Sequence, residues 1–236
     1  MMDIKRYIYT GIAVIIVVIG PLQLVDYMAT SKDYTVRIKK YYPKIDSVGI
    51  NKDGTTDYDT TSFYSIPDCR LINHTGDTLS LSEDPNFKVL DFFFTRCPTI
   101  CPQMTRSMYS VQEEFKDIGD VSLYSISIDP THDSEQVLGT YSRKYDALDS
   151  MWYFMTGNKD YIYDFAQKGV KLSAVEEGQG EGGFIHSDRL VLVDKEGVIR
   201  GYYHGTDELD VERLIVEIRM LIKEERVNKR LENEAS

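Results

Sequence analysis

Two of the three cysteines in the 236-residue chain lie four positions apart, in the stretch FFFTRCPTICP at residues 92–102. Three kinds of chemistry use such a pair: a structural disulfide, a dithiol that exchanges electrons, and a clamp for a metal ion. A disulfide between Cys97 and Cys101 would close so short a loop that it would restrict the unfolded chain very little. A purely structural bridge is therefore the weakest of the three explanations.

The elements around the pair indicate reactive thiols. A short apolar strand is predicted at KVLDFFF, residues 88–94, and a helix is predicted to begin at Cys101. Pro98 and Pro102 lack a backbone donor, which suits a turn and the first turn of a helix. Cys101, and with it Cys97, is predicted to lie where free N–H groups and the helix dipole stabilise a thiolate. The thiolate is the form that attacks disulfides and binds metal ions.

A metal clamp would need a third ligand from elsewhere, since two thiolates seldom suffice even for the soft ions Cu(I) and Zn²⁺. Three of the four histidines, His74, His132 and His204, lie in predicted turns, where polar side chains usually make local hydrogen bonds. His186 differs, because it follows the glycine-rich stretch EEGQGEGG at residues 176–183 and precedes a predicted strand. It is the candidate for a third ligand on a segment able to move.

The other sulfur-bearing residues of this region are expected to pack in the core. Cys69 stands alone in a strand-like segment, which is typical of a small buried residue. Met104 and Met108 share a helix face with Cys101 and could offer soft thioethers to a metal. Filling an irregular core is the commoner role of methionine, and we predict it here.

Beyond the pair, predicted strands and helices alternate. Apolar residues recur at helical spacing from Cys101 to Ile118, from Asp133 to Leu148, and in a final helix that Asp207 is predicted to cap. Further elements are predicted as strands at residues 121–128 and 151–155, a short helix at 158–169, and a hairpin over 188–203. This order predicts an α/β sandwich with a mixed central sheet.

The N-terminal segment has a different character. The stretch YIYTGIAVIIVVIGPLQLV, residues 7–25, carries no charge, and as a helix rising about 1.5 Å per residue it would cross a hydrocarbon core of about 30 Å. Lys5 and Arg6 precede it, which favours a cytoplasmic N-terminus. A cleaved signal peptide is the alternative, but no small-x-small site follows the apolar stretch. We predict an uncleaved single-pass anchor in the cytoplasmic membrane, with the rest of the chain on the periplasmic or an equivalent outer side.

The predicted organisation is therefore a cytoplasmic start and anchor at residues 1–25, a polar linker at 26–63, a folded domain at 64–228 and a charged tail at 229–236. The formal net charge of −11 argues against a nucleic-acid partner, because phosphate binding requires clustered Lys and Arg. Outside the cytoplasm a thiol pair oxidises unless a reductant or a metal ion protects it.

Three stretches in this order, FFFTRCPTICP, SISIDPTHDS and FIHSDRLVLVDKEG, resemble the Sco/SenC family of membrane-anchored copper-binding assembly proteins for cytochrome c oxidase. The similarity covers roughly residues 66–225 and includes IPDCRLINHTGDTLSL, which resembles the family's N-terminal hairpin. The Cys-x-x-x-Cys-Pro motif together with a later His-Ser before a strand is specific, whereas the cysteine pair alone is not. The resemblance implies a thioredoxin-like fold that binds one copper ion through two cysteines and one histidine.

Matched residue by residue, the resemblance implies that Cys97, Cys101 and His186 bind copper, as Cu(I) or Cu(II), and that Asp129 lies near the site. Arg96 stands where the family often has histidine or another residue, and as a fixed cation it should favour the thiolates. The implied function is that of a copper metallochaperone. It would deliver copper to, or maintain the thiols of, the copper-bearing subunit of cytochrome c oxidase or another copper or thiol carrier.

The alternative is a membrane-anchored thiol–disulfide oxidoreductase, or a copper or redox sensor, that uses the same pair. Thioredoxin-like oxidoreductases usually carry Cys-x-x-Cys and a cis-proline that faces it before the later hairpin. This chain has an extra residue between its cysteines, and none of its seven prolines lies beyond Pro130, so that His186 occupies the matching place. We predict a copper carrier rather than an enzyme, with reductase activity of the copper-free pair left open.

Overall fold

The computed structural model describes residues 38–44, 47–50, 56–59, 62–172 and 187–235. The predicted anchor at residues 7–25 and the predicted ligand His186 lie outside these ranges. Every described residue belongs to the second of two compact units, which spans Ile38–Ser236. Within the described ranges, no helix is long and apolar enough to cross a membrane.

Two small antiparallel sheets precede the main one. Their strands are β1 (Pro43–Lys44), β2 (Ser47–Ile50), β3 (Thr56–Asp59) and β4 (Ser62–Phe63), with β1 paired to β4 and β2 paired to β3. Ile38 is buried in the main core, and the Tyr41 N–H donates to the carbonyl of Ile199 at 3.0 Å. Part of the stretch predicted as a linker is thus attached to the domain. The stretch is polar on average, but individual residues such as Ile38 and Tyr41 make these contacts.

The central sheet is mixed, as the order of elements predicts. Its strands are β5 (Arg70–Asn73), β6 (Thr78–Ser80), β7 (Phe87–Phe93), β8 (Val121–Ser127), β9 (Trp152–Thr156), β10 (Arg189–Val193) and β11 (Ile199–His204). They lie in the order β11-β10-β7-β8-β9-β5-β6, with β7, β8 and β9 parallel and the other pairings antiparallel. Every residue of β7 and β8 is buried, as is usual for parallel strands at the centre of a sheet. The polar residues of β8 are therefore buried as well.

Four helices accompany the sheet in the described part of the chain. They are α1 (Cys101–Phe115), α2 (Glu135–Lys144), α3 (Lys159–Asp164), which continues as a π-helical turn over Phe165–Gly169, and α4 (Glu208–Ala235). The Asn158 side chain accepts the Tyr161 N–H at the predicted start of α3, and the Asp207 side chain accepts the Leu209 N–H, which confirms the cap predicted for α4. At α2 the capping residue is Ser134. Asp133, with which the predicted helix begins, instead accepts hydrogen bonds from Thr95 and Ser127.

The core confirms the predicted roles of the other sulfur-bearing residues. Met104, Met108 and Cys69 are completely buried, the methionines in the cluster that includes α1 and α4 and the cysteine in the cluster that includes α3. Ile118 and Leu148, which were predicted on the apolar faces of α1 and α2, lie beyond the ends of these helices and are exposed.

The end of α4 also differs from expectation. The stretch predicted as a charged tail, residues 229–236, is helical as far as Ala235. Pairs one turn apart support it, as between Lys229 and Glu225, whose Nζ and Oε1 atoms lie 2.6 Å apart. Such i,i+4 pairs each contribute a few tenths of a kcal/mol to a helix.

Candidate metal centre

The two cysteines flank the turn between the central strand β7 and helix α1. The N–H of Cys97 donates to the carbonyl of Phe94 at 3.2 Å, which closes the turn after the strand. Cys101 is the first residue of α1, and the carbonyl of Ile100 accepts the first helical hydrogen bonds, from Gln103 at 2.9 Å and from Met104 at 3.0 Å. The predicted strand–cysteine–helix order is therefore present in the structure.

The backbone at the start of α1 is directed at the first sulfur. The N–H of Cys101 donates to Sγ of Cys97 at 3.5 Å, and Oγ1 of Thr99 lies 3.9 Å from the same sulfur. All three cysteines of the chain are free thiols. The side chains of Cys97 and Cys101 are also hydrogen-bonded to each other, so the two sulfurs are neighbours at the start of α1.

The two thiols differ in acidity. Burial acts to raise the pKa of Cys97, but the hydrogen bonds from Cys101 and Thr99 outweigh burial and lower this pKa below its ordinary value. Burial raises the pKa of the Cys101 thiol, and the hydrogen bond to Cys97 raises it further. The sequence suggested that the helix N-terminus would act first on Cys101. In the structure its N–H groups favour the thiolate of Cys97 instead.

The cation predicted to stabilise the thiolates has a different partner. An Nη atom of Arg96 lies 2.6 Å from Oδ2 of Asp129, on the loop that follows β8. The donors to the Cys97 sulfur are instead the backbone and hydroxyl groups of its own turn. Arg96 and Asp129 therefore act together, as an exposed ion pair that joins the cysteine loop to the neighbouring loop.

The structure does not complete a ligand set. Among the described residues, no three side chains of His, Cys, Asp or Glu come together in a way that could hold a metal ion. Nδ1 of His74 accepts the Phe154 N–H at 3.3 Å, and Nδ1 of His204 lies 3.0 Å from Asp188, so both have the local partners predicted for them. His132 is exposed on the loop after β8. The candidate third ligand, His186, remains the prediction made from the sequence.

A buried acid that the sequence analysis did not identify lies in β7, the strand that precedes the turn with Cys97. Asp91 of β7 is almost completely buried, and its Oδ1 accepts the hydroxyl of Ser125, which itself accepts the Trp152 Nε1–H at 2.9 Å. Its Oδ2 has no hydrogen-bond partner among the described residues. Burial raises the pKa of Asp91 to about 7, against the lowering effect of Ser125, and the carboxyl charge acts on the thiol of Cys101. A lone acid inside the apolar run KVLDFFF was the available signal.

A mixed α/β fold with a cysteine pair at the start of the helix that follows a central strand is a thioredoxin-like arrangement. The family model described as SCO1/SenC matches residues 60–223, which is more than half of the chain. The chain belongs to the SCO1/SenC family, as the three sequence stretches predicted.

Relatives and solved structures similar to the chain carry Sco or copper-binding names. The chain is 31% identical to the SCO1 protein homolog of Bacillus subtilis over 159 residues, which make up 66% of this chain and 82% of the relative. It is 28% identical to a protein of Stutzerimonas stutzeri named for copper binding, over 161 residues that make up 65% of this chain and 76% of the relative. The solved structure of BsSco, described as a Sco-family cytochrome c oxidase assembly protein with a disulfide switch, matches with a TM-score of 0.57. That match has 29% identity and covers 66% of this chain and 92% of BsSco.

Proposed function

We propose that the protein is a copper metallochaperone that binds one copper ion through Cys97, Cys101 and His186. The observation that carries the proposal is the pair itself: on a SCO1/SenC chain, the N–H of Cys101 points at the sulfur of Cys97 at 3.5 Å. Two soft sulfur ligands at one helix start suit Cu(I), which tolerates low coordination numbers.

The acidities of the pair support a stepwise loading. The Cys97 sulfur is the more easily deprotonated, so it makes the first contact with incoming copper. The Cys101 thiol then gives up its proton as the ion binds, because a thiol must be deprotonated to act as a ligand. Copper uptake by the reduced protein therefore releases protons, and the affinity rises with pH.

The proposed partner is the copper-bearing subunit of cytochrome c oxidase or another copper or thiol carrier. Support comes from the description of BsSco as a cytochrome c oxidase assembly protein and from the copper-binding relative in Stutzerimonas stutzeri. The domain acts on the outer side of the cytoplasmic membrane, and the uncharged segment at residues 7–25 anchors it there.

The experiment is a copper titration of the full-length protein and its variants, followed by absorption in the thiolate-to-copper region and by competition with a Cu(I) chelator. Cys97→Ser and Cys101→Ser should each lose both oxidation states, because a hydroxyl is a poor soft ligand. His186→Ala should weaken Cu(I) binding moderately and largely abolish stable Cu(II) binding, since Cu(II) prefers more ligands with imidazole among them.

The matched control is His132→Ala, which removes an exposed histidine from the loop after β8 and should leave both spectra unchanged. If His132→Ala loses the Cu(II) spectrum while His186→Ala keeps it, the third ligand has been assigned to the wrong histidine. If neither cysteine variant changes copper binding, the copper function is not located at this pair.

A second candidate function, thiol–disulfide exchange by the copper-free pair, is favoured by the difference in acidity between the two thiols. Cys97 would attack a partner's disulfide as the thiolate, and Cys101 would then displace the reduced partner and leave a Cys97–Cys101 disulfide. An insulin- or peptide-disulfide reduction assay with the copper-free protein tests this function, with Cys97→Ser as the inactive control.

A further inference from the structure

A buried carboxylate joins the loop that carries Cys97 to the loop that follows β8. Asp133 is completely buried and accepts hydrogen bonds from the N–H of Thr95 at 3.1 Å, the hydroxyl of Thr95 at 2.5 Å and the hydroxyl of Ser127 at 2.6 Å. The Ser127 oxygen in turn accepts the N–H of Asp129 at 3.1 Å. One side chain thus receives three donors, two from Thr95 in the Cys97 loop and one from Ser127 at the end of β8, with both of its oxygens in use.

The sheet does not need this carboxylate to hold its strands together. β7 and β8 are paired over seven residues each, and the N–H of Ile128 extends this pairing to the carbonyl of Phe93 at 2.9 Å. Burying a carboxylate is costly unless its hydrogen bonds are complete. Because the sheet pairing does not require Asp133, we look for its role in the loops that it joins. Asp133 instead fixes the position of Thr95, which lies two residues before Cys97.

The position of Thr95 matters because the two cysteines are fixed in different ways. Cys101 belongs to α1, which Met104 and Met108 anchor in the core. Cys97 lies in the turn between β7 and α1, and the place of its sulfur depends on how that turn leaves the strand. The exposed Arg96–Asp129 ion pair joins the same loops but contributes little, because solvent screens it.

We propose that Asp133 is a positioning residue for the dithiol: by holding Thr95, it keeps the Cys97 sulfur opposite the Cys101 N–H. The role in copper loading rests on the proposed function, whereas the role in thiol geometry does not. Asp133 itself touches neither sulfur in any hydrogen bond of the structure, so it acts through Thr95.

The test uses Asp133→Asn, which keeps the shape of the side chain but leaves it unable to accept all three donors. The rate of iodoacetamide alkylation at Cys97 is measured against pH in the reduced, copper-free, full-length protein, and peptide mass mapping assigns the modified residue. The midpoint of this profile should rise by about half a pH unit or more, because the sulfur loses its alignment with the N–H donor. Thr95→Val should shift the midpoint in the same direction by less. Thr95→Ser keeps the hydroxyl group and should leave the midpoint at its wild-type value.

Asp194→Asn is the matched control. Asp194 is an equally buried carboxylate that accepts the N–H groups of Glu196 and Val198 and pairs with Arg200 at 3.0 Å. It follows β10 at the opposite end of the sheet, where Val193 pairs with Lys88 near the start of β7. Asp194→Asn should lower the urea midpoint of unfolding and leave the alkylation profile of Cys97 unchanged.

Two outcomes overturn the proposal: an unchanged profile in Asp133→Asn and Thr95→Val, or an equal shift in Asp194→Asn. If Asp133→Asn does not fold, the two Thr95 variants decide, since each changes only one hydroxyl group or methyl group. A copper titration of the wild type beside the same variants keeps the two ideas apart. If the wild type binds no copper while the variants shift the alkylation profile, the positioning role is supported and the metallochaperone function is contradicted. If the wild type binds copper and the variants leave the profile unshifted, the reverse holds.

Discussion

The two thiols of the pair differ because their backbone surroundings differ. Cys97 receives the N–H of Cys101 and contacts from Thr99, whereas the sulfur of Cys101 is buried behind it. Two cysteines four residues apart therefore have distinct roles in any reaction that starts from a thiolate. The buried acid Asp91 adds a negative charge on the side of Cys101, which increases the contrast.

The first prediction concerns this contrast. A brief treatment of the reduced, copper-free protein with iodoacetamide near pH 7 should modify Cys97 well before Cys101, because its thiol has the lower pKa. Cys69 should react last, since burial raises the pKa of its thiol to about 12. Mass mapping over time gives the order of modification, and faster alkylation of Cys101 than of Cys97 would contradict the assignment.

The same geometry makes a prediction for oxidation. Mild oxidation of the copper-free protein should form a reversible Cys97–Cys101 disulfide and leave Cys69 as a thiol, since Cys69 is completely buried in the other core cluster. Alkylation followed by peptide mapping identifies the bridge. A bridge from Cys69 to either partner would overturn the assignment.

The pH dependence of stability tests the assignment of Asp91. Burial raises the folded-state pKa to about 7, well above the ordinary pKa of an aspartate, so the carboxyl group stabilises the fold most below about pH 4, and this stability is lost as the pH rises from there through 7. Three pKa units correspond to about 4 kcal/mol. Urea unfolding at pH 5 and pH 8 should show a larger loss for the wild type than for Asp91→Asn. Equal losses in the two proteins would contradict a perturbed Asp91.

At the scale of elements, the helices and central strands follow from periodicity and capping, whereas the buried polar contacts do not. A sequence pattern places Asp133 at a helix start and Asp91 in an apolar strand, but it does not say which loop each one meets in space. These contacts depend on the parallel pairing of β7 with β8, which joins residues more than thirty positions apart. The Cys97 turn could be predicted, because its geometry depends on residues adjacent in the chain.

The extended α4 makes a prediction at this scale. Residues 229–234 are exposed, so truncation after Asn228 should change the unfolding midpoint only slightly. Ile218→Ala is the matched control, because this side chain is completely buried in the core cluster that includes α1, and its truncation should lower the free energy of unfolding by about 2 to 5 kcal/mol. Urea unfolding monitored by circular dichroism compares the two. A large loss on truncation would show that the end of α4 contacts more of the protein than its exposure indicates.

For the whole molecule, the predicted anchor at residues 7–25 would determine the compartment in which the dithiol works. An uncharged segment of this length after Lys5 and Arg6 predicts a membrane-bound protein with its domain on the outer side. Cell fractionation should recover the full-length chain with membranes, and protease added to the outer face should digest the domain. A full-length chain found entirely in the soluble cytoplasmic fraction would refute the anchor and, with it, the proposed location.

Trp152 is the only tryptophan of the chain, and its buried indole donates to Ser125, which donates to Asp91. Fluorescence excited selectively at tryptophan therefore originates from one position, two hydrogen bonds from the buried acid. The emission of an unlabelled sample should respond to the ionisation of Asp91, and its change on unfolding reads the same interior. The chain thus carries its own optical reporter on the side of the sheet that α1 covers.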